Sequence, residues 1–191
     1  MDKDRFEQVE IKSQEELRDW LLKNHFQKES IWLITFKKSS PEIYVSTDEV
    51  LDELLSFGWI DGRRLKLDDK RTMQLVTPRK VQHWSKTYKE RAKRLIDEDK
   101  MHEAGYQSIE EGKKSGLWNF LDDVDALIIP DDLKTALKEK EGAFQFFDAI
   151  NDSSKRFALR WLKLSKTEKT RNKRIDELVK LSKKGEKLKG S

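Results

Sequence analysis

The sequence predicts an α+β protein: a small, mainly antiparallel sheet in the N-terminal half packed by helices, then an all-helical C-terminal half. Strand-type patterns are confined to the first eighty of 191 residues. Beyond Ser85 the apolar residues recur at helical spacing. With 3 Pro, 8 Gly and 40% charged residues, the composition suits helices better than a loop-rich chain. The expectation is a single domain over residues 1–185, its β-containing part about 1–80 and its helical part about 85–185, with a disordered tail at 186–191.

Phe6 to Ile11 alternates apolar and polar residues and reads as a short strand. Ser13 and Glu16 form a capping-box pair for a helix that places Leu17, Trp20 and Leu21 on one face. Ser30 to Phe36 is β-branched, aromatic and apolar on both sides, the pattern of a central strand covered on two faces. Lys37 to Pro41 breaks it, and Ile43 to Val45 is expected to be extended. Thr47 is expected to cap a helix over Asp48 to Phe57 with the core stripe Val50, Leu51, Leu54 and Leu55. Gly58 suits the C′ position that ends it. Trp59 to Arg79 reads as a β-hairpin around the turn Asp68 to Arg71, with Pro78 ending the second strand.

Ser85 is the expected N-cap of a helix from Lys86 to Asp99, and a second helix runs from about Glu103 to Lys114, ending at Gly116. Asp122 to Ile129 reads as an acidic connector, with Pro130 placed to start a helix ahead of Asp131 and Asp132. Ala143 to Ile150 is helical, Asn151 to Ser154 caps Lys155 to Leu164, and Thr167 opens a last helix with the narrow stripe Ile175, Leu178, Val179 and Ser182.

The net charge of +4 conceals a segregation along the chain. Residues 63–94 carry twelve basic residues against three acidic, and residues 163–191 carry eleven against four, so the remainder is strongly acidic. Such a chain could present a basic face to nucleic acid, lipid head groups or an acidic protein; the plainer alternative is that these side chains solvate helix faces. With no Cys, disulfide scaffolds, thiol catalysis and cysteine zinc sites are excluded. His25, His83 and His102 lack metal-ligand spacing, so no metal is expected. No phosphate loop, dinucleotide fingerprint or nucleophile elbow is present, so no catalytic residue is assigned and no cofactor is implied. The opening 25 residues lack a signal-peptide core and no stretch is long enough to span a bilayer, which predicts a cytoplasmic protein without membrane insertion.

Two constellations remain. Asp61 lies between Trp59-Ile60 and Gly62, an acidic residue in an apolar context at a strand edge; it is either an Asp-Gly bend or buried ion-pair member, or a polar anchor at the floor of a cleft. Thr77-Pro78-Arg79-Lys80-Val81-Gln82-His83-Trp84-Ser85 is a basic loop with an aromatic, feeding a helix N-terminus. It combines backbone N–H groups, a guanidinium and an indole face, which suits an anion. Trp84 as a core plug and Ser85 as a cap is the plainer reading. The candidate cleft is therefore Trp59, Asp61, Arg79, Lys80, Trp84 and Ser85, for a small anionic ligand or an unidentified protein. The alternative, nucleic acid, would use Arg63, Arg64, Lys89, Lys93, Arg171 and Arg174. A third class is an enzyme acting on a small anionic metabolite in the same cleft. The oligomeric state is not legible.

Gly58-Trp59-Ile60-Asp61-Gly62, Thr77-Pro78-Arg79-Lys80 and Trp84-Ser85-Lys86 resemble blocks of the YdeI/OmpD-associated, or bacteriocin-protection, family. Met101, Ala104-Gly105, Gly116-Leu117-Trp118, Pro130-Asp131-Asp132-Leu133, Ala143-Phe144 with Phe147, and Thr170-Arg171 with Arg174-Ile175 resemble further blocks in order, so the similarity covers about residues 30–185. One departure is Tyr88, at a position the family often fills with Asn. The resemblance implies a non-enzymatic cytosolic binding protein linked to envelope stress or to tolerance of bacteriocins and antimicrobial peptides; it implies no established reaction.

Overall fold

A computed structural model describes residues 5–80 and 82–190. Val81, within the basic loop, lies outside the described residues. The chain forms two compact units, residues 1–119 and 120–191.

In the first unit, β1 (Glu7–Glu10), α1 (Gln14–Asn24) and β2 (Ile31–Phe36) form a parallel crossover. A short 3-10 turn (Pro41–Ile43), opened by the fixed φ of Pro41, takes in the first residue of the stretch expected to be extended, and Tyr44 after it is extended. α2 (Thr47–Ser56) follows, then the hairpin β3 (Trp59–Lys66) and β4 (Arg71–Pro78). The sheet order is β1-β2-β4-β3, antiparallel except for the β1–β2 pair. As its continuous apolar run required, β2 is covered on both faces. Ile31 and Leu33 join a core with Leu17, Leu21, Leu54 and Trp59, while Trp32 and Ile34 point the other way onto Met73.

The cap of α2 is Ser46 and not Thr47. Its hydroxyl accepts from the Glu49 N–H while the Glu49 carboxylate accepts from the Ser46 N–H, a reciprocal pairing that needs the acidic residue three positions on. Gly58 ends the helix with φ +72°, and a Cβ there would stand 2.8 Å from the Ala104 carbonyl oxygen. α3 (Lys86–Asp97) and α4 (Glu103–Lys114) complete the unit, with Leu55, Trp84, Ala92, Leu95 and Ile109 packed between them and α2. Ser85 occupies the N-cap position of α3, but its hydroxyl pairs with Thr87 Oγ1 at 3.0 Å and makes no cap bond.

The second unit is helical: α5 (Asp122–Asp125), α6 (Asp131–Lys138), α7 (Ala143–Ala149), α8 (Asp152–Lys163) and α9 (Glu168–Lys183). Part of the expected acidic connector is thus helical. α8 starts three residues early because the Asn151 side chain accepts from the Ser154 N–H. All four residues of the predicted α9 stripe are buried, within or beside a core that includes Leu133, Leu137, Phe147 and Leu162. Leu188, in the segment expected to be a disordered tail, is partly buried against the same core.

Candidate functional site

The hairpin positions the site. Between Asp61 and Arg64 the β3–β4 register slips, a bulge that re-aims Asp61 beside α3. One Asp61 carboxylate oxygen accepts from the Tyr88 hydroxyl and the other from Gln74 Nε2 at 3.1 Å. The Gln74 oxygen in turn accepts from Arg64 Nη2 at 2.7 Å. Burial, then the bond to Asp61, push the Tyr88 phenol upward, so it remains a donor at neutral pH.

Arg79 follows the last residue of β4, its N–H donating to the Gly58 carbonyl at 2.9 Å. The side chain is 8% exposed. Its guanidinium carbon lies 4.0 Å from the Trp84 ring centroid and 5.1 Å from that of Tyr88, so two aromatic rings hold the cation. Nη1 donates to the Gln82 carbonyl at 3.2 Å, whereas Nε and Nη2 are buried without a hydrogen-bond partner. Burial pushes the guanidinium down to about 10, against the pull of Tyr88 and Asp61, and it remains a cation at neutral pH. A buried cation with two unmade hydrogen bonds is costly unless something fills them.

Arg79 forms one wall of a cavity of about 350 Å³, at the small end of the range for small-molecule sites. Phe57, Gly58, His25 and His102 form the adjoining walls. His102 stacks on Phe57 with centroids 4.6 Å apart and meets His25 edge-on at 4.8 Å. As N-cap of α4 its Nδ1 accepts from the Ala104 N–H at 3.2 Å, which assigns the neutral ring its proton to Nε2. Burial, then His25 and Arg18, hold the His102 imidazole below its usual value. The fourth wall is one face of α4, presenting Glu103, Gln107 and Glu111. That face comes close because the helix carries glycine where it meets its neighbours: at Gly112 a Cβ would stand 2.5 Å from Trp84 Nε1.

Of the six predicted cleft residues, Arg79 alone lines this cavity. Asp61 and Trp84 contact its supports: Asp61 fixes Tyr88, and the Trp84 ring lies under the guanidinium. Trp59 supplies no aromatic surface. It is fully buried in the core, its indole N–H donating to the His25 carbonyl at 3.1 Å, because its strand position faces α1 and α2. Trp84 is 1% exposed and presents no free face either. Lys80 is exposed, with its backbone N–H on Gln82 Oε1, and is absent from the cavity lining, as is Ser85.

The residues proposed for nucleic acid are largely engaged with the protein itself. Arg64 bonds Gln74 and Thr47, Arg171 forks onto Asp132 at 2.5 and 2.9 Å, and Arg174 donates to the Trp161 carbonyl and lies over its ring. Arg63 sits over Trp32, Lys89 over Trp118, and Lys93 is exposed. The charge segregation of the sequence is also blended in space. Arg91 and Arg94, from the basic segment, pair with Asp48 and Asp52 from the acidic remainder. Among the described residues no His, Asp or Glu group is placed to hold a metal ion, and no helix is long and apolar enough to cross a membrane.

Sequence reasoning missed His25, Phe57, His102 and the acidic face of α4. The histidines lie far apart along the chain, so a search for short spacings could not join them. The Glu103, Gln107, Glu111 spacing of four was the available signal: it puts three polar side chains on one helical face.

The first unit is an α+β fold with a buried, incompletely bonded cation in the wall of a cavity of about 350 Å³. Residues 9–108 match the family described as a domain of unknown function (DUF8412), over half of the chain, and the chain belongs to that family. Residues 126–185 match the family described as Bacteriocin-protection, YdeI or OmpD-Associated. The later blocks of the resemblance, from Pro130 to Ile175, fall inside that second match, whereas those from Gly58 to Ala104-Gly105 fall inside the first. No curated protein and no solved structure matches the chain.

Proposed function

We propose that this is a binding protein that contributes to bacteriocin or antimicrobial-peptide tolerance from the cytosol, and that its first unit seats a small anionic ligand on Arg79. The observation that carries the reading is a cation, Arg79, buried against aromatic rings and without an ion-pair partner among the described residues, in the wall of a small cavity. An anionic ligand would supply the counter-charge for that cation, and a guanidinium suits a carboxylate or phosphate better than an ammonium does. Binding is favoured over catalysis because the Nδ1 atoms of the two cavity histidines, His25 and His102, face internal partners. The family match of residues 126–185 supports the tolerance role. A nucleic-acid reading has less support, since Arg64, Arg171 and Arg174 are committed internally.

The test is thermal unfolding of the full chain with acetate, hexanoate or inorganic phosphate at millimolar concentration. A rise in Tm for the wild type, absent in Arg79→Met and in Arg79→Lys, is expected. No rise for any anion would remove the reading. In a host lacking the protein, Arg79→Met is expected not to restore tolerance when the wild type does.

A further inference from the structure

A second cavity, of about 410 Å³, is lined by α3 and α4 and by Trp118 just past α4. None of its lining residues lines the Arg79 cavity. Lys89, Lys93 and Ile96 share one face of α3 at i, i+4 and i+7, and Ile109 and Lys113 share one of α4. The lining combines two chemistries: Ala92, Ile96, Ile109 and Trp118 are apolar, whereas the charged members are three lysines against Glu90. Trp118 is a fixed wall, since its backbone N–H donates to the Gly112 carbonyl at 2.9 Å and its ring centroid lies 4.9 Å from that of Trp84. The residue is only partly buried, and an ammonium from each helix stands beside its ring, Lys89 Nζ at 5.4 Å and Lys113 Nζ at 5.8 Å from the centroid. Lys113 also donates to Glu110 at 2.8 Å, and Glu90 pairs with Lys86 at 3.8 Å. Lysine stems ordinarily cover apolar surface of this kind, but here they leave Ile96 37% exposed. A neutral apolar molecule would fill the cavity and leave the ammoniums unused. A polyanion would meet Glu90 and Glu110 and leave the apolar wall wet. An anion with an apolar body satisfies both chemistries, and the volume suits one of small-molecule size.

We propose that this cavity binds a medium-chain alkanoate, its chain along Ile96, Ile109 and Trp118 and its carboxylate at the Lys89 and Lys113 ammoniums beside the Trp118 ring. Arg79 takes no part in it.

Calorimetric titration of the full chain with hexanoate, octanoate, decanoate and 1-octanol tests this. Affinity is expected to rise about threefold per methylene, so that decanoate binds while hexanoate is too weak to register at the same sub-millimolar concentrations. Octanoate should bind about fivefold tighter than 1-octanol, the gain of a carboxylate from partly exposed cations. Lys89→Gln with Lys113→Gln should bring octanoate down to the level of 1-octanol, and glutamine, a good helix former, keeps both helices. Ile96→Asp, at an exposed position that the fold does not need, should weaken decanoate about tenfold or more. Three results would each overturn the proposal: 1-octanol as tight as octanoate, decanoate affinity unchanged in Ile96→Asp, or decanoate binding lost in folded Arg79→Met. So would the failure of all four compounds to bind.

Discussion

Among the described residues each unit buries one cation to the same extent, and the two are treated in opposite ways. Lys155, at the start of α8 in the helical unit, is 8% exposed, and its ammonium donates to the Asp148 carbonyl at 2.7 Å and to the Asp148 carboxylate at 3.2 Å. Arg79 in the sheet-containing unit is also 8% exposed, yet it makes one hydrogen bond and leaves two donors unmade beside a cavity. Burial alone therefore does not distinguish a structural cation from a functional one. Lys155 closes the turn between α7 and α8, whereas Arg79 is held by ring faces that fix its plane without using its donors.

The largest effect expected is that of removing those rings. Trp84→Ala should cost about 3–5 kcal/mol, the usual range for a fully buried aromatic, and should also abolish the anion-induced rise in Tm. Phe147→Ala in the helical core should cost a similar amount and leave the anion response of the first unit intact. Urea unfolding with and without anion reads both. If Trp84→Ala keeps the full anion response, stacking does not position Arg79.

Replacing the cations themselves sharpens the contrast. Lys155→Met strands a backbone carbonyl and should cost about 1–3 kcal/mol. Arg79→Met gives up ring contacts and one hydrogen bond but also two unsatisfied donors, so its cost should lie within about 1 kcal/mol of zero. Equilibrium unfolding of the two variants compares them directly. An Arg79→Met penalty as large as that of Lys155→Met would make Arg79 a structural residue and end the comparison.

Much of this fold was readable because it is set by local patterns. The β2 run, the hairpin with Pro78 at its end, Gly58 as a helix stop and the α9 stripe each depend on neighbouring residues and on burial of one face or two. Arg79 was legible for the same reason, a basic residue beside an aromatic in a loop that feeds a helix. The cavity was not, because its walls come from the end of α1, the end of α2 and the whole of α4, and only tertiary packing brings them together. Trp59 misled for a related reason. Its neighbours suggest a cleft, but the β3 register turns its ring into the core. Tyr88, where the resembled family often has Asn, still supplies a donor to Asp61.

The smallest effect separates the units by pH. His25, His83 and His102 all lie in the first unit and the second contains no histidine. Burial, with His25 and Arg18, lowers the His102 pKa in the folded state, so below the ordinary value of 6.5 the unfolded chain binds the proton more readily. The stability linked to His102 is then complete above about pH 6.5 and is lost as the pH falls through the interval beneath it. In the second unit the shifted groups that titrate below neutral pH are acids. Asp123 is held down by Lys163 despite burial, and Asp132 by Arg171, so their contribution is present above 3.8 and lost only at lower pH. Hydrogen exchange between pH 7 and 5 should therefore quicken in α4 and the α2 C-terminus before it does in α6 and α9. His102→Asn, which keeps a side chain able to cap α4 but does not titrate, should remove that difference. Equal quickening of both units in the wild type, or an unchanged difference in His102→Asn, would assign the acid response to other groups.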